Sequence, residues 1–355
     1  MPRIDADNMP DFLRAYGERT PYALGWTPEA DFATWQVAGL EAVREAVNGD
    51  LMAVPQVRLV SERALGEARV QHLEMTFPTG AVTDAVFAVP QGKGPFPAIV
   101  LLHDHGGAFE IGWEKLIPTE DAEKRAIGDA WVERYYDGRY LGEVLLAQGY
   151  AVIAWDALGW GSRKGNGLES QQALASNLMQ YGLSLAGLMA QEDVQAANWL
   201  SRQAQIDPQA IGSWGFSMGG YRAWQLSALS PVIGAGVSSC WMAAMKPLMA
   251  PGNNQLGGQS AFNMLHPALG GRLDYPDFAG LAAPKPMLFE AGRTDHLFSE
   301  PSIREAFDKL EAVWQASGAP EALRTRIWDR GHILLRDQQE MALEFFQDVL
   351  GAPIP

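Results

Sequence analysis

The chain has 355 residues with a formal net charge of −15, and 47% of its residues are hydrophobic against 19% charged. This composition is ordinary for a folded globular protein and excludes a fibrous or wholly disordered chain. The acidic balance, with no local cluster of basic residues, repels phosphate backbones and anionic lipid. We therefore expect neither nucleic acid nor a membrane as a partner.

The sequence predicts neither a secretory signal nor a membrane span. No stretch reaches the roughly 18 consecutive apolar residues that a membrane span needs. The first residues, MPRIDADNMPDFLRAYGER, lack the apolar core of a secretory signal. Cys240 is the single cysteine, which excludes an intrachain disulfide and agrees with a reducing compartment. These features predict a cytoplasmic protein.

Residues 1–50 are predicted to form an N-terminal helical extension. Helical spacing is clear in DFATWQVAGLEAVREAVNG, which ends in an Asn-Gly stop signal. Two roles stay open for these helices, which are covering a pocket and pairing with a second subunit in a homo-oligomer. From Val57 the pattern changes to two extended segments, VRLVSERALGEARVQHLEMTFP and AVTDAVFAVP, joined at Thr79 and Gly80 like the strands of a hairpin.

The remainder, within a predicted domain over 51–355, alternates short apolar runs with longer helical stretches. Apolar runs without polar alternation are typical of strands buried on both faces, and helices between them suit right-handed parallel crossovers. We therefore expect an α/β fold with a mostly parallel central sheet flanked by helices. The runs are FPAIVLLHD, YAVIAWDA, AIGSWGFS, IGAGVSSC, PMLFEAG and LRTRIWDR.

Two connections, at about 108–142 and about 243–280, are too long for simple crossovers and are predicted as loop insertions. Long connections in compact domains are often lids or binding loops. Large apolar side chains in them or near strand ends are candidates for the wall of a substrate pocket, with core packing as an equal alternative for each. These candidates are Trp113, Trp160, Trp241 and Met242.

The segment AIGSWGFSMGGYRAW places Ser217 between an apolar run and a helix-forming run, in the pattern GxSxG. A strand that turns directly into a helix strains the serine backbone, and Gly215 and Gly219 avoid the clashes that side chains would cause. The turn also directs the first helical N–H groups, beginning with Met218, at negative charge beside the hydroxyl. The pattern predicts a nucleophilic serine, and a helix-capping serine is the alternative.

A serine nucleophile needs a histidine base and an acid that orients it, expected further along the chain in the order acid, then histidine. PMLFEAGRTDHLF delivers Asp295 beyond a predicted strand, with Glu290 as its nearest rival. LRTRIWDRGHILL delivers His332 beyond the next strand. We predict Asp295 as the acid and His332 as the base. A solvated loop carboxylate and a surface or capping histidine are the alternatives.

The segment LLHDHGGAF leaves the first central strand with two histidines and two glycines. A loop at this point should supply a second main-chain N–H to an oxyanion, because glycines let the backbone approach a substrate closely. We predict the amide of His105 as this donor, with Gly106 next. The imidazoles of the loop are expected to act as hydrogen-bonding props.

His103 and His105 also form a His-x-His pattern, which resembles the start of a metal site. Such a site would require further ligands at other strand ends. None of the remaining candidates sits in a second close pair, so we expect no metal and no other cofactor. Those candidates are His266, His296 and His332.

From about Val57 to the C-terminus the chain resembles the α/β-hydrolase superfamily, and within it the dienelactone hydrolase and acetyl xylan esterase-like branch. The resemblance implies the α/β-hydrolase fold, with Ser217, Asp295 and His332 as nucleophile, acid and base. It also implies that the amides of Met218 and His105 form the oxyanion hole. The segments that carry it are FPAIVLLHDHGG, GYAVIAWDALGWGSR, IDPQAIGSWGFSMGG, LAAPKPMLFEAGRTDHLF and RGHILL.

Dienelactone hydrolases carry cysteine at the turn where this chain has Ser217. Cys240 lies on another predicted strand, where we expect it to be a small buried residue. The expected function is hydrolysis of a small carboxylic ester by a serine esterase through an acyl-enzyme. The alternatives are a lactone, amide or carbon–carbon substrate for the same triad, since fold and triad do not select the bond, and a noncatalytic ligand-binding protein.

Overall fold

The structure is a computed structural model that describes residues 10–249 and 259–351. Parts of the predicted N-terminal extension, 1–9, and of the second predicted insertion, 250–258, lie outside the described residues. Within the described residues, nine strands form one sheet. The strands are β1 Gln56–Leu65, β2 Ala68–Thr76, β3 Val82–Val89, β4 Phe96–Leu102, β5 Ala151–Trp155, β6 Ile206–Phe216, β7 Ala235–Ser239, β8 Met287–Gly292 and β9 Leu323–Trp328.

Helices connect and cover the strands. Among the described residues, no helix is both long and apolar enough to cross a membrane. The α-helices are α1 Asp11–Arg19, α2 Phe32–Val47, α3 Ala122–Tyr135, α4 Leu141–Ala147, α5 Leu168–Gln180, α6 Leu185–Leu200, α7 Met218–Leu229, α8 Met245–Leu248, α9 Tyr275–Gly280, α10 Glu300–Ala316 and α11 Arg336–Leu350. Short 3₁₀ turns lie at Trp113–Lys115, Gly161–Arg163, Gln259–Met264, Pro267–Leu269 and Pro320–Ala322.

The strand order is β1-β2-β3-β5-β4-β6-β7-β8-β9. Three neighbouring pairs are antiparallel: β1–β2, β2–β3 and β3–β5. The other five are parallel: β5–β4, β4–β6, β6–β7, β7–β8 and β8–β9. The prediction of a mostly parallel sheet is therefore confirmed. Each of the six apolar runs forms one of the strands β4 to β9.

One part of the strand prediction is wrong. The segment beginning at Val57 was expected to be a single extended stretch, but it folds back on itself as the antiparallel pair β1 and β2. The reversal lies at Gly66, whose backbone has a φ of 58°. Glycine adopts this left-handed conformation without steric cost, so a single glycine within the extended segment permits the turn.

The sheet is covered on both faces, which gives three layers. Successive residues of β4 point to opposite sides: Val100 joins the hydrophobic cluster under α2, α6, α7, α9 and α10, whereas Ile99 and Leu101 join the cluster under α3, α4 and α11. A central strand therefore has no solvent-facing side. This arrangement explains why its sequence lacks polar alternation.

The described part of the N-terminal extension contains the helices α1 and α2. Asp31 caps the start of α2 by accepting from the Thr34 N–H, and Asn48 ends it with a left-handed φ of 50°. Trp35 and Val43 of α2 are buried in the same core as α6 and α7. The division into an N-terminal extension over 1–50 and a domain over 51–355 stays a prediction. The helix α2 packs into the same hydrophobic core as α6 and α7.

Two buried ion pairs hold α6 against its neighbours. Arg222 of α7 donates to both carboxylate oxygens of Asp193, at 2.6 and 3.0 Å, and Arg163 does the same with Glu192 at 2.6 and 2.7 Å. All four side chains are at most 5% exposed. Bidentate geometry compensates much of the cost of removing these charges from water. The pair between Arg222 and Asp193 holds α7, whose first residue follows Ser217, against α6.

We predict that Arg222→Met lowers the free energy of unfolding by about 3 to 5 kcal/mol, because it leaves the Asp193 carboxylate buried without its partner. Urea unfolding of the purified variants measures this change. Arg304→Met, which removes a solvent-exposed pair with Glu300 on α10, should change it by less than about 1 kcal/mol. Adding Asp193→Leu to Arg222→Met should recover most of the loss. Equal losses of unfolding free energy from Arg222→Met and from Arg304→Met would contradict the role of the buried pair.

Candidate functional site

Ser217 occupies a strained turn between β6 and α7. Its backbone has φ 55° and ψ −125°, a conformation that L-residues seldom adopt. Its N–H donates to the Ser239 carbonyl at 2.8 Å, which ties the turn to the end of β7. A Cβ atom on Gly219 would lie 1.9 Å from the Leu102 carbonyl oxygen, and one on Gly215 would lie 2.2 Å from Gly219. The glycines of the GxSxG pattern are therefore required by packing.

The structure brings Ser217, His332 and Asp295 together in one line of hydrogen bonds. His332 Nε2 lies 2.9 Å from Ser217 Oγ, and His332 Nδ1 lies 2.6 Å from Asp295 Oδ2. The second Asp295 oxygen accepts from the Leu297 N–H at 2.8 Å. Because a carboxylate only accepts, we assign the imidazole proton to Nδ1, which leaves Nε2 to accept from the serine hydroxyl. The catalytic roles of the three residues stay predictions.

Aromatic rings enclose the imidazole of His332. The ring of Phe216 lies 4.8 Å from it, and Phe298 stacks on it at 6.2 Å between centroids. The exposed His296 stands edge-on at 6.0 Å, at the rim of the cavity, and makes no hydrogen bond to the triad. This packing limits rotation of the His332 side chain and leaves its line of hydrogen bonds intact.

Glu290, the rival acid, serves another purpose. Its two carboxylate oxygens lie 3.0 Å from Ser239 Oγ and from Trp328 Nε1, and it makes no hydrogen bond to His332. Burial raises the pKa of Glu290 to about 8, so the side chain is mostly protonated at neutral pH. A neutral, internally bonded carboxyl group is poorly suited to stabilise a histidine cation.

Cys240 is 1% exposed, and its thiol lies 3.6 Å from the Ile333 carbonyl oxygen. Burial raises the pKa of this thiol well above its usual value, so it is a poor nucleophile. The interpretation of Cys240 as a small buried residue is confirmed. Its sulfur, the Asp295 carboxylate and the His332 ring offer ligand atoms within 4.8 Å of one another. Both ring nitrogens of His332 are already bound within the triad, which accounts for this cluster.

The His-x-His motif that suggested a metal holds the loop after β4 instead. The fully buried His103 bonds through Nδ1 to the Asp104 carbonyl at 2.8 Å, and its Nε2 accepts from the Ala157 N–H at 3.0 Å. The His105 Nδ1 bonds to the Gly106 carbonyl at 3.0 Å. Burial lowers the pKa of both imidazoles, that of His105 to about 4, so both rings are neutral. These contacts agree with the predicted role of loop props.

A second network surrounds the Asp104 side chain, which is 2% exposed. The Tyr136 hydroxyl and the Trp131 indole N–H, both from the first insertion, donate to Oδ2 at 2.6 and 3.1 Å. The Lys115 ammonium group lies 3.4 Å from Oδ1. The first insertion is therefore fastened to the loop that carries His105, one of the predicted oxyanion donors.

A cavity of about 220 Å³ opens beside Ser217. The predicted oxyanion residues His105 and Gly106 lie in its wall, and Met218 begins α7 directly after the lining residue Ser217. Trp131 and Tyr135 form an aromatic pair, with ring centroids 4.5 Å apart, on the same wall. The lining residues are Asp104, His105, Gly106, Trp131, Tyr135, Phe216, Ser217, Met264, His296, Leu297 and His332.

The four side chains predicted to form the pocket wall are instead packed in the core. Trp160 is fully buried and donates to the His105 carbonyl from behind the loop, at 2.7 Å. Trp113 packs near His72 on the other face of the sheet, and Trp241 joins an aromatic cluster with Tyr221. Met242 is also buried in the core. Core packing, the alternative that the sequence left open, describes all four.

Sequence reasoning missed three residues that the structure places at or behind this cavity: Trp131, Tyr135 and Lys115. All three lie in the first insertion, in a stretch rich in charged and aromatic residues. The tertiary fold brings this stretch to the carboxyl edge of the sheet. The length of the insertion and its charged and aromatic composition were the signals in the sequence that indicated a role for it.

No family model matches the chain. The chain is 26% identical over 264 residues to the "Putative hydrolase YtaP" of Bacillus subtilis (strain 168), a match that covers 74% of this chain and 82% of that protein.

Two solved structures are similar over most of the chain. A "putative acetyl xylan esterase" from Bacteroides fragilis NCTC 9343 is 18% identical, with a TM-score of 0.72 over 89% of this chain and 81% of that one. A glucuronoyl esterase from Solibacter usitatus is 16% identical, with a TM-score of 0.66 over 92% of this chain and 97% of that one. At such low sequence identity, the structural similarity establishes the fold alone. The chain has the α/β-hydrolase fold, as its sequence predicted.

Proposed function

We propose that this protein is a serine hydrolase that cleaves a carboxylic ester of a small molecule through an acyl-enzyme. The observation that carries the proposal is the unbroken line of hydrogen bonds from Asp295 through His332 to the Ser217 hydroxyl, which ends at a cavity. A serine hydroxyl is a weak nucleophile until a base takes its proton. The two similar solved structures are named as esterases and the Bacillus subtilis relative as a hydrolase, which supports the choice of bond.

In the first half-reaction, His332 Nε2 accepts the hydroxyl proton while Ser217 Oγ bonds to the carbonyl carbon of the ester. The carbonyl electron pair moves to oxygen and then returns as the bond to the alcohol breaks, and His332 gives its proton to the departing alcohol. Water then repeats the sequence on the acyl-enzyme, which releases the acid and restores Ser217. Asp295 holds the Nδ1 proton and stabilises the imidazolium form of His332 in both halves.

The negative charge that forms on the carbonyl oxygen needs fixed hydrogen-bond donors. The N–H of Met218 is the first of α7, where the helix dipole adds a partial positive charge. His105 and Gly106, in the loop after β4, line the same cavity. We assign the main-chain N–H groups of these three residues as the donors of the oxyanion hole.

The cavity also constrains the substrate. Its volume of about 220 Å³ is below the range of roughly 300 to 1,000 Å³ that is typical of ligand pockets, which favours a short acyl group. The rings of Trp131 and Tyr135 offer apolar faces against which the alcohol portion can pack. The proposed substrate is therefore an ester with a small acid and a larger alcohol.

Ser217→Ala should lower kcat for a short-chain nitrophenyl ester by about 10⁵-fold, because it removes the nucleophile. A fluorophosphonate should form an adduct at Ser217 in the unaltered protein, located by peptide mass mapping. The matched control is Ser230→Ala at the far end of α7, which should keep activity and labelling. An adduct at another residue, or activity in the Ser217 variant, would contradict the assignment.

Asp295→Asn should lower kcat by about 10⁴-fold, because the amide no longer holds the imidazole in its productive tautomer. Glu290→Gln should change kcat by less than about threefold, since burial already keeps Glu290 mostly neutral. Steady-state kinetics of both variants on the same ester measures the difference. The opposite ranking would identify Glu290 as the acid.

We expect kcat/KM for nitrophenyl esters to fall as the acyl chain lengthens from acetate to octanoate, by about 10-fold or more, because a longer chain exceeds the cavity. A flat or rising series would contradict the short-acyl assignment. Amides, lactones and a β-diketone assayed on the same sample test the other bond types. Failure to turn over any of these substrates would favour a noncatalytic ligand-binding protein.

A chelator should leave the ester activity unchanged, because both ring nitrogens of His332 are bound within the triad and His103 and His105 bond to the main chain. Activity before and after treatment with EDTA measures this. A loss that zinc restores would contradict the metal-free mechanism.

A further inference from the structure

Lys115 is a charged residue buried behind the proposed oxyanion loop, and the mechanism above does not use it. Its side chain is fully inaccessible to solvent. Removing an ammonium group from water costs several kcal/mol unless its hydrogen bonds are replaced within the protein. An apolar residue could fill the same volume without that cost. Packing alone therefore does not account for a lysine at this position.

The three N–H donors of the Lys115 ammonium group have three acceptors, all of them in the loop after β4. Nζ lies 2.9 Å from the His105 carbonyl oxygen, 3.0 Å from the Asp104 carbonyl oxygen and 3.4 Å from Asp104 Oδ1. The indole rings of Trp131 and Trp160 lie 4.8 and 5.9 Å from it. Lys115 therefore donates hydrogen bonds to two consecutive carbonyl groups. The Asp104 carboxylate and two indole rings surround its ammonium group.

These hydrogen bonds determine where the N–H groups of the next two peptides point. In a trans peptide, the carbonyl oxygen and the following N–H point in opposite directions. Both peptides are trans here. Holding the carbonyls of Asp104 and His105 toward Lys115 therefore turns the N–H groups of His105 and Gly106 away from it. Among the described residues, neither N–H has a hydrogen-bond acceptor.

The other side of the loop is the cavity wall. His105 and Gly106 both line the cavity that contains Ser217 and His332. Trp160 Nε1 strengthens the orientation by donating to the same His105 carbonyl at 2.7 Å. Gly106 has a left-handed φ of 46°, and a Cβ atom on it would lie 2.1 Å from the Trp131 ring. The loop is thus held by packing on one side and by Lys115 on the other.

We propose that Lys115 is a positioning residue for the proposed esterase reaction, on which this inference rests. Its ammonium group fixes the carbonyls of Asp104 and His105 so that the N–H groups of His105 and Gly106 are aimed at the oxyanion. Lys115 touches neither the substrate nor the reacting atoms. It lowers the barrier because donors that are oriented before the reaction need no reorganisation when the charge develops.

Lys115→Met keeps an unbranched side chain of similar length and removes the three donors. We expect kcat for a short-chain nitrophenyl ester to fall by about 10²-fold, the effect of losing an oxyanion donor, while KM changes by less than about threefold. A trifluoromethyl ketone forms a tetrahedral adduct with serine. The Lys115→Met variant should bind it more weakly, by about the same factor as the fall in kcat/KM.

Lys285 offers a matched control. Its Nζ also donates to two main-chain carbonyls, those of Ser227 at 2.8 Å and Ser230 at 2.7 Å, at the end of α7 remote from Ser217. Lys285→Met should lower the melting temperature and leave kcat and ketone affinity within about threefold of the unaltered protein. A merely structural effect of lysine loss would instead affect both variants alike.

Lys115→Met leaves the Asp104 carboxylate without its counter-charge, so the double variant Lys115→Met/Asp104→Asn provides a second test that preserves charge balance. We expect it to show the same fall in kcat and in ketone affinity. A folded single or double variant with kcat within threefold of the unaltered protein would overturn the inference. An inactive unaltered protein would overturn the proposed function, and this inference with it, which keeps the two failures distinguishable.

Discussion

The reversal of the chain at Ser217 is the constraint on which the site depends. One residue has to leave a buried strand and begin a helix, and its left-handed backbone is of the kind that costs about 1 to 3 kcal/mol. The hydrogen bond from its N–H to Ser239 and the close approach of Gly219 to Leu102 hold it there. Because the turn places the hydroxyl at the carboxyl edge of β6, its partners have to come from the loops after neighbouring strands.

Those loops are held mainly by buried polar and charged groups. Asp104 bonds to Tyr136, Trp131 and Lys115 after β4. After β5, Asp156 accepts from the main-chain N–H and hydroxyl of Ser162 at 2.7 and 2.8 Å, so this carboxyl group braces the turn that follows. Any rearrangement of these loops would leave a buried polar or charged group without a partner, which costs free energy. The site is therefore rigid for electrostatic as well as packing reasons.

Sequence reasoning succeeded where a local pattern has one physical explanation. A short apolar run bounded by turns fits a strand buried on both faces, and the six runs became β4 to β9. It failed where one pattern fits two outcomes. Trp160 and Trp241 would look alike in the sequence whether they lined a pocket or filled the core, and the fold buried both. The turn at Gly66 was missed because a single glycine, flanked by residues typical of extended segments, gave only a weak turn signal.

The sequence by itself determined the order of the strands along the chain, the tight turn at Ser217 and the positions of the residues that follow β8 and β9. These features depend on hydrophobic periodicity and on glycine, which act within a few residues. Only the tertiary structure decided that Asp295 and not Glu290 bonds to His332, and that Lys115 lies behind the His105 loop. Such contacts depend on the relative placement of distant segments, which side-chain packing and the pairing of buried charges establish together.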